Sequence, residues 1–277
     1  GQRCHINGSF SGEGNITLTI PYVRTDMMAD WSNFKGNLTV SGNQFRLCKS
    51  IDMKETTLTL KDGINMGHFK SGSGNAQSLT SYIGALASTG NPTISNGIYN
   101  VGYNNKNSTF TGTISCNINK YGTGNLTLTG TENTGILTIH EGAVIANNNS
   151  GTIAGTINVM NGGSLYGKGF VKTVSLKDGS KLMAGQTTYL NGILTINGTL
   201  TSESGATVLM NISKTTNDKI HFGGAAVFGK DTLEILYLPL GLIQSTLFAP
   251  FGGFGSGVGN IAKGCIAPFK LAIDVLV

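Results

Sequence analysis

The chain has 277 residues, a net charge of +5, 39% hydrophobic residues and only 12% charged residues, with 41 glycines. Charged residues are about half as frequent, and glycine about twice as frequent, as in ordinary globular proteins. This composition excludes a predominantly helical protein, which would need more Ala, Glu and Lys. The basic residues are scattered singly, which argues against nucleic-acid binding through a clustered basic surface.

Short strands with alternating apolar and polar residues recur along the chain, and each is followed by a glycine turn. Leu, Ile or Val alternates with Thr, Asn or Ser, which is the period of a strand buried on one face. Asn, Asp and Gly in the turns tolerate the positive φ of a tight corner. The predicted strands with their turns cover residues 15–20, 37–42, 57–63, 125–130, 136–142, 156–162, 173–179 and 193–198.

The spacing of these strands indicates stacked coils. Equivalent threonines recur about every 20 residues, at Thr17, Thr39 and Thr59 and again at Thr156, Thr173 and Thr195. We therefore predict an all-β fold, a right-handed parallel β-helix (a β-solenoid of the pectin-lyase-like type). A β-sandwich or jelly roll also alternates with period 2. The internal similarity of residues 12–19 (GEGNITLT) to residues 122–129 (GTGNLTLT) favours the solenoid.

The predicted solenoid forms one domain over residues 1–237. Residues 238–277 lose the Thr/Asn alternation, so we expect an irregular hydrophobic C-terminal segment that caps or extends the rod. No apolar run is long enough for a membrane-spanning helix. The chain opens on GQRC, without a starting Met or an apolar stretch. We therefore expect that an export signal has been removed.

Cysteine and histidine spacings do not predict a metal site or a cofactor. The four cysteines form no C-x-x-C pair, and the four histidines are not at ligand spacing. We read the cysteines as small buried hydrophobes, with a bridge between Cys4 and Cys48 as the alternative. We read each histidine as a surface or coil residue.

One local group of residues could act on carbohydrate. Polysaccharide lyases and hydrolases built on β-helices need clustered carboxylates, but this chain has only 14 Asp and Glu residues. The group consists of Arg24, Asp26, Asp30 and Trp31. It is either a hydrogen-bonded corner or a weak carbohydrate-binding patch, in which Trp31 stacks on a sugar ring and the carboxylates bind hydroxyls. We predict no catalytic residue.

Part of the chain resembles the autotransporter-associated β-strand repeat of bacterial surface proteins. The resemblance extends over residues 80–230 and is carried by residues 110–114 (FTGTI), 120–135 (KYGTGNLTLTGTENTG), 137–143 (LTIHEGA), 161–169, 179–185 and 192–198. Residues 21–26 and 31–36 resemble leading coils of such proteins. The chain departs from the repeat where the usual Tyr before Gly135 is absent and where residues 183–185 lack the usual Pro.

This resemblance implies an extracellular or bacterial cell-surface location. We expect a secreted or cell-surface structural or adhesin-like module without catalytic activity. Its expected partners are a host or cell-surface polysaccharide or protein, and not nucleic acid. We expect it to act as part of a larger surface protein or as a monomer. The alternative is a carbohydrate-binding or polysaccharide-degrading β-helix protein.

Overall fold

The structure is a computed structural model that describes residues 3–131, 133–185, 192–211, 217–229 and 233–237. Over these ranges the chain is all-β, and its parallel strands stack as a β-solenoid of about nine turns. The predicted fold class is confirmed. The described part of the chain contains no helix with the length and hydrophobicity of a membrane span. The predicted C-terminal segment, residues 238–277, lies outside the described residues.

Each coil passes along up to three faces of the solenoid. Four long strands bend around corners and contribute to more than one face: β2 (Ser9–Met27), β3 (Asp30–Leu47), β4 (Asp52–Leu60) and β6 (Thr80–Ser88). For example, β3 pairs with β4 through residues 36–40 and with β5 (Asn65–His68) through residues 44–47.

Shorter strands continue the three faces, and all strand pairs are parallel. The first face continues through β8 (Ile98–Val101), β11 (Asn117–Lys120), β13 (Ile136–Ile139), β15 (Thr156–Val159), β18 (Thr173–Leu176), β21 (Leu200–Ser202) and β24 (Ala226–Val227). The second continues through β9 (Ser108–Phe110), β12 (Asn125–Leu128), β14 (Gly142–Ala146), β16 (Gly163–Gly167), β19 (Lys181–Ala184), β22 (Thr207–Asn211) and β25 (Leu233–Tyr237). The third comprises β1 (Arg3–Ile6), β5, β7 (Thr93–Ser95), β10 (Thr113–Ile114), β17 (Phe170–Val171), β20 (Ile193–Ile196) and β23 (Lys219–Phe222).

The hydrophobic core runs along the solenoid axis and follows from the alternation. Every second residue of a strand points inward, and register pairing stacks these residues into columns. On the first face one such column contains Val101, Ile139, Val159 and Leu176, all buried. Fully burying an aliphatic side chain of this size contributes about 1.5–3 kcal/mol. No single coil could bury these residues by itself, so the fold depends on stacking.

The threonine markers stack as predicted except for one. Thr17 pairs with Thr39 and Thr39 with Thr59, and Thr156 pairs with Thr173. The expectation that Thr195 continues the column of Thr156 and Thr173 is wrong. Thr195 pairs with Phe170 on the third face. Alternation predicts a strand but not its face, since the strands of all three faces bury one side in the same core.

A glycine pair forms the bend between the first and second faces in the N-terminal coils. Gly36 has a φ of 136°, and a Cβ built there would lie 2.0 Å from the carbonyl oxygen of Gly14 in the adjacent coil. Both the backbone conformation and the close approach of the coils therefore require glycine.

Candidate functional site

Asp26, the central acid of the predicted carbohydrate patch, is buried and enclosed by protein groups, although its Oδ1 atom accepts no hydrogen bond. Its side chain is 0% exposed. Oδ2 accepts hydrogen bonds from Ser71 Oγ (3.2 Å) and the Gly72 amide (3.1 Å). Oδ1 lies 3.7 Å from Nε of Arg46 and 4.0 Å from Nε of Arg24. This carboxylate therefore has no surface with which to bind a sugar hydroxyl.

Arg46 completes this ion pair and holds a loop over it. Its side chain is 1% exposed. Nη2 donates to the carbonyl oxygens of Lys70 (3.2 Å) and Ser73, and the guanidinium lies 4.6 Å from the ring centroid of Phe69. Residues 69–76 are thus fastened by both members of the pair. Arg46 is not among the residues predicted from the sequence, although its register places it opposite Asp26 in the next coil.

Asp30 and Trp31 serve local structure. The Asp30 carboxylate accepts a hydrogen bond from the Ser32 amide at 3.0 Å, which lowers the pKa of Asp30. Trp31 is 1% exposed, and its ring stacks on Phe10 at 4.0 Å and meets the edge of Phe34 at 5.5 Å. In this arrangement Trp31 cannot stack on a sugar. Of the four predicted residues, the structure pairs Arg24 with Asp26 and leaves the other two in separate roles.

A row of aromatic side chains along one edge of the first face is the more prominent surface feature. The ring centroids of Tyr82 and Tyr103 lie 6.0 Å apart, those of Tyr103 and Tyr121 5.2 Å, and those of Tyr121 and His140 4.5 Å. The last two rings are nearly parallel, with an interplanar angle of 2°. All four side chains are partly exposed. We call these four residues the tyrosine ridge.

An ion pair covers one end of the tyrosine ridge. Nζ of Lys54 lies 4.6 Å from the ring centroid of Tyr82 and 5.5 Å from that of Tyr103. The same ammonium is 3.1 Å from Oδ2 of Asp52. A cation over an aromatic face is favourable, and Asp52 neutralises this one. Lys54 therefore contributes little net charge to the ridge.

Burial favours the neutral forms of two side chains of the tyrosine ridge, Tyr103 and His140. Burial raises the pKa of Tyr103, and Tyr121, Tyr82 and Asp52 raise it further. Burial also lowers the pKa of His140. The phenol and the imidazole can therefore each donate and accept hydrogen bonds.

A buried lysine supports the corner that carries the ridge. Lys120 is 1% exposed and occupies an inward position between Val101 and Ile139. Its ammonium donates to the carbonyl oxygens of Tyr121 (2.6 Å), Gly122 (2.6 Å) and Glu141 (3.2 Å). Burial lowers the pKa of Lys120 to about 8, against the opposing effect of the Glu141 carboxylate. Lys120 thus joins two successive corners, next to Tyr121 and His140.

A column of uncharged polar side chains runs beside the ridge on the outer side of the first face, and all of them except Asn100, which is 8% exposed, are at least partly exposed. Its members are in register from coil to coil and begin next to Tyr82. Nδ2 of Asn119 donates to Oδ1 of Asn100 at 2.8 Å. We call this column the polar ladder, and it consists of Asn100, Asn119, Thr138, Asn158, Ser175 and Thr201.

The tyrosine ridge is not among the features predicted from the sequence, although the sequence carries a signal for it. Tyr82, Tyr103, Tyr121 and His140 follow one another at about one coil length, so a search for aromatic residues at the repeat period would have found them.

The remaining titratable groups do not assemble into a second site. No cluster of three or more metal-ligating side chains occurs within the described ranges. His68, expected as a surface or coil residue, is fully buried and stacks on Tyr99 at 5.0 Å. Burial lowers the pKa of His68 to about 4.

The cysteines in the described part of the chain are free thiols. Cys4, Cys48 and Cys116 form no disulfide, so the alternative of a bridge between Cys4 and Cys48 is wrong. Cys116 is a buried hydrophobe as expected, and burial raises its pKa to about 12. Cys4 is exposed, contrary to that expectation. Cys265 lies outside the described residues.

Comparison with known proteins finds no matching family model and no similar curated protein.

Proposed function

We propose that this chain is a non-catalytic, adhesin-like β-helix that acts outside the bacterial cell, secreted or displayed at its surface. In this proposal it binds a polysaccharide or protein through the first face of the solenoid. The resemblance of residues 80–230 to the autotransporter-associated repeat supports the location. A stacked β-solenoid suits such a role, because it presents the same surface geometry on every coil.

The tyrosine ridge is the observation that carries the binding proposal. Tyrosine is enriched at binding surfaces because it offers a large, rigid contact area and a hydroxyl group. Here four aromatic rings are held in one row on successive coils. Stacking restrains these rings before any ligand arrives, which reduces the entropy cost of binding.

The alternative of a polysaccharide-degrading enzyme has less support from the geometry. A general acid or base must come within hydrogen-bonding distance of the substrate. Asp26 is covered by residues 69–76, and its oxygens already face Ser71, Gly72 and two arginines. Catalysis at this carboxylate would require that loop to open and the ion pair to break.

A binding screen with two tyrosine variants tests the proposal. Wild-type protein is screened against immobilised glycans, matrix proteins and cell surfaces, and each hit is remeasured with Tyr121→Ala. The matched control is Tyr166→Ala, which removes a partly exposed tyrosine from β16 on the second face. We expect Tyr121→Ala to weaken binding about tenfold, as for a central interface tyrosine, while the control leaves it unchanged. Equal effects of the two variants, or no hit in any screen, would contradict the proposal.

A further inference from the structure

The outward positions of the first-face strands beside the tyrosine ridge carry no charge, and this points to the class of ligand. The outward positions of β8, β11, β13, β15, β18 and β21 hold only uncharged side chains, namely Ile98, Asn100, Asn117, Asn119, Ile136, Thr138, Thr156, Asn158, Thr173, Ser175 and Thr201. The chain as a whole carries a net charge of +5. Its cationic side chains are therefore placed elsewhere.

An ion pair lies at each end of this surface, and the carboxylate of Glu141 lies beside the ridge. At one end Lys54 pairs with Asp52 at 3.1 Å. At the other end Nζ of Lys177 lies 2.7 Å from Oε1 of Glu203. Glu141, which follows His140, accepts a hydrogen bond from the Gly122 amide at 3.1 Å. An anionic polymer needs unpaired cations for attraction, and the outward positions of these described strands supply none.

The polar groups suit a ligand that carries many hydroxyls. Amide and hydroxyl side chains both donate and accept hydrogen bonds, and the polar ladder offers one on each coil. Coils are spaced by about 4.8 Å, so the pattern repeats at short, regular intervals along the axis. The stacked rings of Tyr103, Tyr121 and His140 cover one another's faces, so they present ring edges and polar atoms. Recognition here rests on repeated hydrogen bonds beside an aromatic edge.

A protein partner fits the polar ladder less well than a polysaccharide does. Protein interfaces depend on a few large side chains buried in pockets at their centre. Among the described residues of strands β8 to β21 on the first face, Ile136 is the one large apolar side chain that is exposed, at 45%. A polymer that repeats weak contacts gains overall affinity through multivalency without such an anchor.

We infer that the first face binds a neutral polysaccharide, which lies along the solenoid axis on the polar ladder with the tyrosine ridge at its side. This inference rests on the proposed function and specifies its ligand. Because the interaction contains no ionic contact, its affinity is insensitive to salt.

The test compares three classes of polymer, matched in length, by calorimetric titration and affinity electrophoresis. They are a panel of neutral polysaccharides, a polyuronate and a sulfated glycosaminoglycan, each at about 50 and about 500 mM salt. We expect a neutral polymer to bind most tightly, with less than about a twofold change in affinity between the two salt concentrations. Tyr121→Ala should weaken this binding about tenfold.

A matched pair of lysine variants places a charge on or off the polar ladder. Thr138→Lys puts a cation in the middle of the ladder, whereas Thr127→Lys puts one at an equivalent outward position of β12 on the second face. The first should weaken neutral-polymer binding about tenfold, and the second should leave it unchanged. Thermal unfolding of each variant establishes that it is folded.

The outcomes separate the ligand class from the proposed function. If an anionic polymer or a protein binds most tightly, and Tyr121→Ala abolishes that binding, the inferred ligand is wrong. The proposal that the first face is the binding surface is then supported. If no neutral polymer binds, the inference is overturned. If no ligand of any class binds in a way that depends on Tyr121, the proposed function fails with it.

Discussion

The carboxylate of Asp26 balances two guanidinium groups inside the N-terminal coils, so its removal should be costly. It accepts two hydrogen bonds, from Ser71 and Gly72, and each hydrogen bond to a charged group contributes about 1.5–3 kcal/mol. Asp26→Ala would also leave Arg46, at 1% exposure, without its counter-charge. Breaking such a buried pair typically costs about 3–5 kcal/mol. We therefore expect Asp26→Ala to lower the free energy of unfolding by that amount.

Urea denaturation followed by tryptophan fluorescence measures this loss, because the single tryptophan, Trp31, is buried in the same coils. Asp52→Ala is the control. Asp52 lies closer to its partner Lys54, at 3.1 Å, but both side chains are about 40% exposed, and exposed pairs contribute about 0–1 kcal/mol. We also expect Asp26→Ala to expose residues 69–76 to proteolysis. Equal destabilisation by the two variants would refute the view that burial, and not distance, sets the strength of these pairs.

Three further changes test other parts of the structure. Because burial lowers the pKa of His68 from 6.5 to about 4, the unfolded chain binds the proton first as the pH falls. Stability should decline between pH 6.5 and 4 by up to about 3 kcal/mol, and His68→Phe should remove this part of the pH dependence in urea titrations. Lys120→Met leaves three carbonyl groups without their donor, and we expect a loss of about 1–3 kcal/mol; a stabilised variant would contradict this account. Gly36→Ala should reduce the yield of soluble protein severely. Gly8 has open space around it, so Gly8→Ala should lower the free energy of unfolding by only about 1–2 kcal/mol, the cost of backbone strain.

The candidate site could be predicted only in part, for reasons of geometry. Arg24 and Asp26 are two residues apart, so their pairing on one side of a strand follows from the alternation. Arg46 and Ser71 reach Asp26 from other coils, at separations that depend on the register and on the path of a loop. The sequence shows that Trp31 follows Asp30 and leaves open whether its ring stacks on a sugar or belongs to a structural corner. Only the packing of Phe10 and Phe34 around it shows that the ring is enclosed.

The sequence by itself determined the all-β class and the stacking of coils, because alternation and repeat length are local properties of the chain. It also determined which residues point inward in the regularly alternating strands, such as β11, β13 and β18, since every second residue there must enter the shared core. Only the tertiary structure decided which face each strand occupies, as the placement of Thr195 opposite Phe170 illustrates. The tertiary structure likewise brought Tyr82, Tyr103, Tyr121 and His140 into one row. Their contacts depend on coils of unequal length coming into register, and that register is set by the packing of the whole solenoid.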